Sequence, residues 1–228
     1  MRIASYNIRK AVGLDWRRDP HRIVDVIAEL NADVVVLQEA DKRIGERAGV
    51  LPLEHLEGEH GYQLARIPTG GLSHGWHGNA ILYRTSSLRK PITDRIVLPA
   101  REPRGAISAF FEENDFEVIG AHLALTPGIR LKQIHTLCKH AANSDRPTVI
   151  AGDFNHWARH LPAGPHKVVT PGLSFHSSRQ IAALDRFILS EGVTEVASDV
   201  HRSLKARRAS DHLPVVLDCN IKSGRRSC

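Results

Sequence analysis

Cysteine is scarce in this chain. There are three, Cys138, Cys219 and Cys228, an odd number with no C-x-x-C spacing. Neither a disulfide framework nor a structural zinc site fits that count, whereas a reducing compartment does. Long apolar runs are missing as well: none approaches the roughly 18 residues of a membrane span. No positively charged stretch with an apolar core precedes the first strand, so no secretory signal is visible and the cytosol is the expected location. There is no repeat in residue identity and no linker that would split the 228 residues. One domain over residues 1–220 is expected, as a monomer, with a short basic tail at 221–228 that frays.

The composition that remains is ordinary for a globular chain, 42% hydrophobic and 25% charged, with a net charge of +6. A basic balance favours a polyanionic partner: nucleic acid, anionic lipid or a phosphorylated substrate.

The strongest local signal is Pro147 to Trp157, PTVIAGDFNHW. Thr148 to Ala151 is a short apolar run rich in β-branched residues, which reads as a buried strand ended by Gly152. Asp153 and Asn155 follow two residues apart, and side chains so spaced on extended chain point the same way. An acid and an amide thus stand at the strand's C-terminal mouth, an edge where α/β sheets collect ligands. A simple turn is the bland alternative.

Other segments end in the same manner. Ile3 to Ile8 reads as a first strand that ends near Asn7. Asp19-Pro20 opens a helix with Ile23, Val26, Ile27 and Leu30 as its buried stripe. Val34 to Leu37 lacks alternation, as a strand buried on both faces does, and ends at Gln38-Glu39. A short helix is expected around Leu51 to Leu56. Strand candidates follow at Tyr62–Arg66, Asn79–Arg84, Ile92–Leu98, Ala106–Phe111 and Phe116–Gly120, the last running out at Ala121-His122-Leu123. Pro127–Asn143 is the second clear helix, with Leu131, Ile134, Cys138 and Ala141 on one face. Pro162–Ser178 reads as irregular, Leu184–Leu189 and Val193–Val200 as strands, and Leu204–Ala209 as a basic loop. Ser210-Asp211-His212 precedes a last strand, Leu213–Leu217. About ten strands and two strong helices, placed alike in each half, imply an α/β (α+β) fold of two packed sheets with helices outside.

Asn7, Glu39, His122, Asp153 with Asn155, Asp185, and Asp211 with His212 therefore all fall at strand edges. Each alone also reads as a cap, a turn, a solvated strand end or a satisfied core histidine. Together they form an inventory of acids, amides and histidines, suited to holding a hard divalent cation through oxygen and to activating water.

The order Tyr6-Asn7-Ile8, Leu37-Gln38-Glu39, Ala121-His122-Leu123, Gly152-Asp153-Phe154-Asn155, Leu184-Asp185-Arg186 and Ser210-Asp211-His212 resembles the endonuclease/exonuclease/phosphatase superfamily. That group includes deoxyribonuclease I, abasic-site endonucleases, neutral sphingomyelinases and inositol polyphosphate 5-phosphatases. The resemblance runs from Ile3 to Leu217. It implies a four-layer α/β/β/α sandwich with mostly antiparallel sheets, and attack of water on a phosphoester assisted by Mg²⁺, with Mn²⁺ as a substitute. By the resemblance Glu39 is the main metal ligand with Asn7 beside it, and Asp211 adds a metal-side carboxylate. His212 is the catalytic base and Asp185 orients it. Asp153 and Asn155 position or deprotonate the attacking water, and His122 is similar to a histidine that touches the scissile phosphate in the lipase-like and phosphatase branches.

The chemistry agrees with that assignment. A phosphodiester anion repels hydroxide, so positive charge must meet the phosphate oxygens. A base near neutral pH is also needed, and no good covalent nucleophile is on offer. One departure is Arg9, followed by Lys10, where abasic-site endonucleases carry an acid; a phosphate-binding cation there would replace a metal ligand. The short chain also leaves little room for duplex-gripping loops. Arg104 and Arg130 are further candidate phosphate contacts. Arg202, Lys205, Arg207 and Arg208 form a basic stretch suited to steering a polyanion. His74 and His77 flank Trp76 in what reads as a mobile surface loop or a substrate-contacting rim. The expected function is a metal-dependent phosphodiesterase acting on nucleic acid. A lipid or small-molecule phosphoester is the alternative, and a non-catalytic binding module is the reading from another class.

Overall fold

The computed structural model describes residues 1–42, 45–68, 71–100 and 105–222. In chain order its elements are β1 (Arg2–Asn7), α1 (Pro20–Leu30), β2 (Val34–Gln38), α2 (Leu53–His60), β3 (Tyr62–Leu64), β4 (Ala80–Arg84), β5 (Ile92–Val97), β6 (Gly105–Phe111), β7 (Phe116–His122), α3 (Pro127–Asn143), β8 (Thr148–Asp153), β9 (Lys167–Val169), β10 (Asp185–Leu189), β11 (Val193–Val200), α4 (Ala206–Ala209) and β12 (Val215–Ile221).

The strands form two six-stranded sheets, ordered β11-β12-β1-β2-β4-β3 and β5-β6-β7-β8-β10-β9. Each sheet has one parallel pair, β1 with β2 and β7 with β8; the other pairings are antiparallel. A parallel pair needs a crossover, and α1 and α3 supply it. Asp19 caps α1, its carboxylate accepting the Arg22 N–H, with Pro20 at the first position. Both crossovers carry the C-terminal ends of their two strands to one edge. Asn7 is thereby set beside Gln38 and His122 beside Asp153.

The sheets pack face to face with helices outside. In β8, Val149 and Ala151 belong to the large core shared with the first sheet, whereas Ile150 belongs to a second core with Ile134, Leu137, Cys138 and Ala141 of α3. Period-two alternation thus feeds two hydrophobic layers from one strand. Two glycines are needed for close approach. A Cβ on Gly120 would stand 2.8 Å from Val36 Cγ1 across the sheets, and one on Gly152 would stand 1.9 Å from the Ala121 carbonyl oxygen. No helix among the described residues is long and apolar enough to cross a membrane.

Several boundaries differ from the sequence reading. α2 begins at Leu53 and extends to His60, and the basic stretch contains α4. The irregular stretch includes β9, a three-residue strand that pairs with β10. In α3, Leu131 is 44% exposed, and the buried face is Arg130, Gln133, Ile134, Leu137, Cys138 and Ala141; Leu131 lies one residue off the stripe. The last strand is Val215–Ile221, its ladder extended by Asp218 and Asn220, whose polarity hid it. The ladder runs on past Asn220: Ile221 pairs with Val193, and the Lys222 N–H donates to the Gly192 carbonyl. The rest of the expected frayed tail lies outside the described residues.

Two glycine substitutions should have opposite signs. Gly120→Ala forces a methyl between the sheets and should cost about 1–3 kcal/mol. Gly58→Ala, in open space within α2, should stabilise by about 0.5–1 kcal/mol. Urea midpoints at constant m-value measure both.

Candidate active site

The site grows from five strand ends and one loop. Asn7 ends β1, and Glu39 follows β2 with a left-handed backbone (φ 53°). His122 and Asp153 end β7 and β8 side by side, and Asp185 opens β10 directly opposite Asp153. Asn155 lies two residues on: its N–H donates to Asp153 Oδ1 at 2.9 Å and its Nδ2 to the Leu123 carbonyl at 2.9 Å. Asp211 and His212 are held by the stretch before β10. The Ser177 N–H donates to the Asp211 carbonyl at 2.7 Å, and the Leu213 N–H to the Ser174 carbonyl at 2.8 Å.

Asp153 is the centre. It is buried, and its Oδ2 accepts from Asn7 Nδ2 at 3.1 Å, lies 3.4 Å from His122 Nε2 and 3.6 Å from His212 Nε2. Behind it, His212 Nδ1 and Asp185 Oδ2 are hydrogen-bonded at 2.8 Å, and Ser174 Oγ donates to the same oxygen at 2.6 Å. Asp185 Oδ1 has no hydrogen-bond partner among the described residues. Burial alone would lower the His212 pKa. The carboxylates of Asp185, Asp153 and Asp211 outweigh it and push the ring up to about 10. Burial raises Asp185 in turn, only partly offset by the His212 charge. The ring therefore stands charged at neutral pH, with Nδ1–H toward Asp185 and Nε2 toward Asp153.

Burial would also raise Glu39, but His122, Lys10 and His212 outweigh it and hold this carboxyl below its ordinary value. Lys10 Nζ is ion-paired to Glu39 Oε2. The turn that presents it, Arg9-Lys10-Ala11, has three consecutive left-handed residues (φ 46°, 56° and 59°), each costing about 1–2 kcal/mol. Strain of this kind collects at functional sites. Here it aims Lys10 at Glu39 and Arg9 at Asp211, with Nε to Oδ2 at 3.5 Å.

The eight acids, amides and histidines read from the sequence thus share one edge, with Arg9 on its rim. Arg130 stands apart. It is buried in α3, and its Nη1 donates to the carbonyls of Ala124 and Leu125 at 3.2 and 2.8 Å, shaping the turn after β7. Arg104 lies outside the described residues. In the basic stretch, Arg202 and Lys205 are paired with Asp199 and Asp25. Arg207 and Arg208 are exposed with no acidic partner among the described residues. The stretch borders the site: the Arg208 carbonyl accepts the Leu14 N–H, and Ser210 Oγ donates to the Asn7 carbonyl. His74 is not on a mobile surface loop. It is buried, and its Nε2 accepts the Leu51 N–H at 2.9 Å. Sequence reasoning missed Ser174 and three aromatics. The Arg9 guanidinium lies over Trp16, 4.7 Å from the ring centroid. Phe175 packs 4.9 Å from the His212 ring and 6.2 Å from Trp157. Trp16 and Trp157 are 78% and 60% exposed, as a stacking surface would be.

The sequence matches the endonuclease/exonuclease/phosphatase family model over residues 4–212. The chain belongs to this family. No curated protein matches it in sequence. Among solved structures, a functionally unknown conserved protein from Enterococcus faecalis V583 aligns with TM-score 0.74 and 19% identity, covering 97% of this chain and 100% of that one. TDP2 of D. rerio, complexed with a single-strand DNA product, aligns with TM-score 0.68 and 16% identity, covering 96% and 98%. A mannosyl-6-phosphatase of Bacteroides thetaiotaomicron aligns with TM-score 0.68 and 18% identity, covering 96% and 99%. These likenesses are likenesses of fold.

Members of the family are hydrolases of phosphoesters and usually depend on a divalent metal. Asp153, Asp185 and His212 each offer a ligand atom, all within 4.8 Å of one another. Their hydrogen bonding speaks for proton handling instead, because His212 Nδ1 and Asp185 Oδ2 are already joined. Glu39, Asn7 and Asp211 fit a hard cation better: they are oxygen donors, and Glu39 is held ionised. Lys10 must leave Glu39 for a cation to bind there. Lys10→Met should therefore tighten Mn²⁺ binding about fivefold, the worth of a pair near 1 kcal/mol. Electron paramagnetic resonance titration checks this, and unchanged affinity would free Glu39 from that competition.

Proposed function

We propose that the chain is a Mg²⁺-dependent phosphodiesterase in which Asp153 takes a proton from the attacking water. The observation that carries this reading is the position of Asp153 Oδ2, within 3.6 Å of Asn7, His122 and His212 and backed by the Asp185 relay. Mg²⁺, or Mn²⁺ in its place, when bound by Glu39 with Asn7 and Asp211, supplies charge to the phosphate oxygens. Asn155 fixes the Asp153 carboxylate through its N–H. The sequence reading made His212 the base. A ring charged at neutral pH is an acid, so His212 stabilises charge developing on phosphate, and Asp185 holds the imidazolium in place.

The substrate class we infer is nucleic acid. The support is local: exposed Trp16 and Trp157 beside the site, Arg9 over Trp16, and exposed Arg207 and Arg208 on α4, which have no acidic partner among the described residues. Stacking rings next to cations suit single-stranded chains. His122 near Asp153 favours a second reading, a lipid or small-molecule phosphoester. Plasmid DNA, single-stranded oligonucleotide, abasic duplex, sphingomyelin and phosphoinositides, each with and without EDTA, separate the two.

The charge state gives a signed pH prediction. If His212 must carry its proton, activity falls as pH rises through its raised pKa. Asp185→Asn removes the first carboxylate that raises it, so the fall should move to lower pH. Activity that instead rises through the same limb would return the base role to His212.

A further inference from the structure

α2 is a weak helix by its own chemistry. Its sequence, LEHLEGEH, places Gly58 in the interior, buries Leu56 with Leu53 packed partly buried on the core, and has at its N-cap Pro52, which makes no side-chain capping bond. Its apolar contact with the core is limited to these two leucines. Its side chains do converge in another way. His55 and Glu59 are one helical turn apart on the same face, with His55 Nδ1 3.3 Å from Glu59 Oε1. The His60 ring stands perpendicular to the His55 ring at 5.6 Å between centroids. One ligand atom each from His55, Glu59 and His60 lies within 4.8 Å of the others. A third imidazole comes from α1: His21, in its first turn, meets the His55 ring edge-on at 5.2 Å.

We propose that His55, Glu59 and His60, with water in the fourth position and His21 packed beside them, form a second metal site, selective for Zn²⁺ and similar ions over Mg²⁺. Imidazole nitrogens suit borderline metals, and two nitrogens with one carboxylate oxygen and a water make a four-coordinate zinc set. Mg²⁺ prefers an octahedron of oxygens and has no such set here. The site shares no residue with the strand-edge cluster. Its three protein ligands all lie on α2, so its role is structural: bound metal holds the C-terminal turns of that helix together.

The site is tested on the tag-free full chain in excess Mg²⁺, with Co²⁺ as a spectroscopic probe. One Co²⁺ per chain should bind with the intense visible absorption of four-coordinate geometry, and Zn²⁺ should displace it. His55→Ala with His60→Ala should abolish that absorption, and Glu59→Gln should weaken binding by about tenfold or more. Zn²⁺ should raise the melting temperature of the parent chain but not of the double variant. A measurement without variants runs alongside: Co²⁺ should broaden the His21, His55 and His60 ring signals in the NMR spectrum. A parent chain with no four-coordinate absorption, or histidine signals left sharp at saturating Co²⁺, would overturn the proposal. So would a folded double variant that retains the parent spectrum and affinity.

Discussion

The hydrogen bond from Asn7 to Asp153 joins the two sheets at the edge where the site lies. Asn7 ends a strand of one sheet and Asp153 ends a strand of the other, and the bond is buried at 3.1 Å. Everything else at the site is placed relative to it. The parallel register of β7 and β8 sets His122 beside Asp153, and the antiparallel register of β8 and β10 sets Asp185 opposite. A slip of one residue in either ladder would turn these side chains to the other face. The packed core behind them, closed at Gly120 against Val36, keeps the two strand ends in reach of each other.

Charge balance is the second constraint. Several carboxylates crowd one edge, and buried carboxylates persist only when paired. Glu39 is paired with Lys10, Asp211 with Arg9, and Asp185 with His212. The first two pairs come from one strained turn, so two of the three residues that bend the chain, Arg9 and Lys10, also neutralise the acids. The third pair is deeply buried, and removing one partner from such a pair typically costs about 3–5 kcal/mol. A divalent cation bound by Glu39 and Asp211, as proposed, would compete with the Lys10 ammonium and the Arg9 guanidinium for those acids.

Much of this was legible in the sequence, because strand ends announce themselves. An apolar run that stops at an acid, amide or histidine marked Asn7, Glu39, His122 and Asp153, a strand that begins with a charged pair marked Asp185, and the structure gathers all of them. Pro127–Asn143 was readable to the residue from its flanking Pro and its length. What escaped was whatever depends on tertiary contact. Ser174 lies in a stretch with no periodicity and matters only because the chain folds back onto Asp185. Arg130 carries a charge and looks like a phosphate contact, yet its guanidinium is used by two backbone carbonyls. The charge on His212 depends on three carboxylates drawn from separate parts of the chain.

The central role of Asp153 is most directly tested by single-turnover hydrolysis with Asp153→Asn at saturating Mn²⁺, with metal binding followed separately by electron paramagnetic resonance. Asparagine keeps the shape but cannot take the proton. The rate is expected to fall by about 10²–10⁴-fold with Mn²⁺ affinity nearly unchanged. A variant that binds Mn²⁺ normally and turns over within about tenfold of the parent chain would contradict the assignment of Asp153 as the proton acceptor.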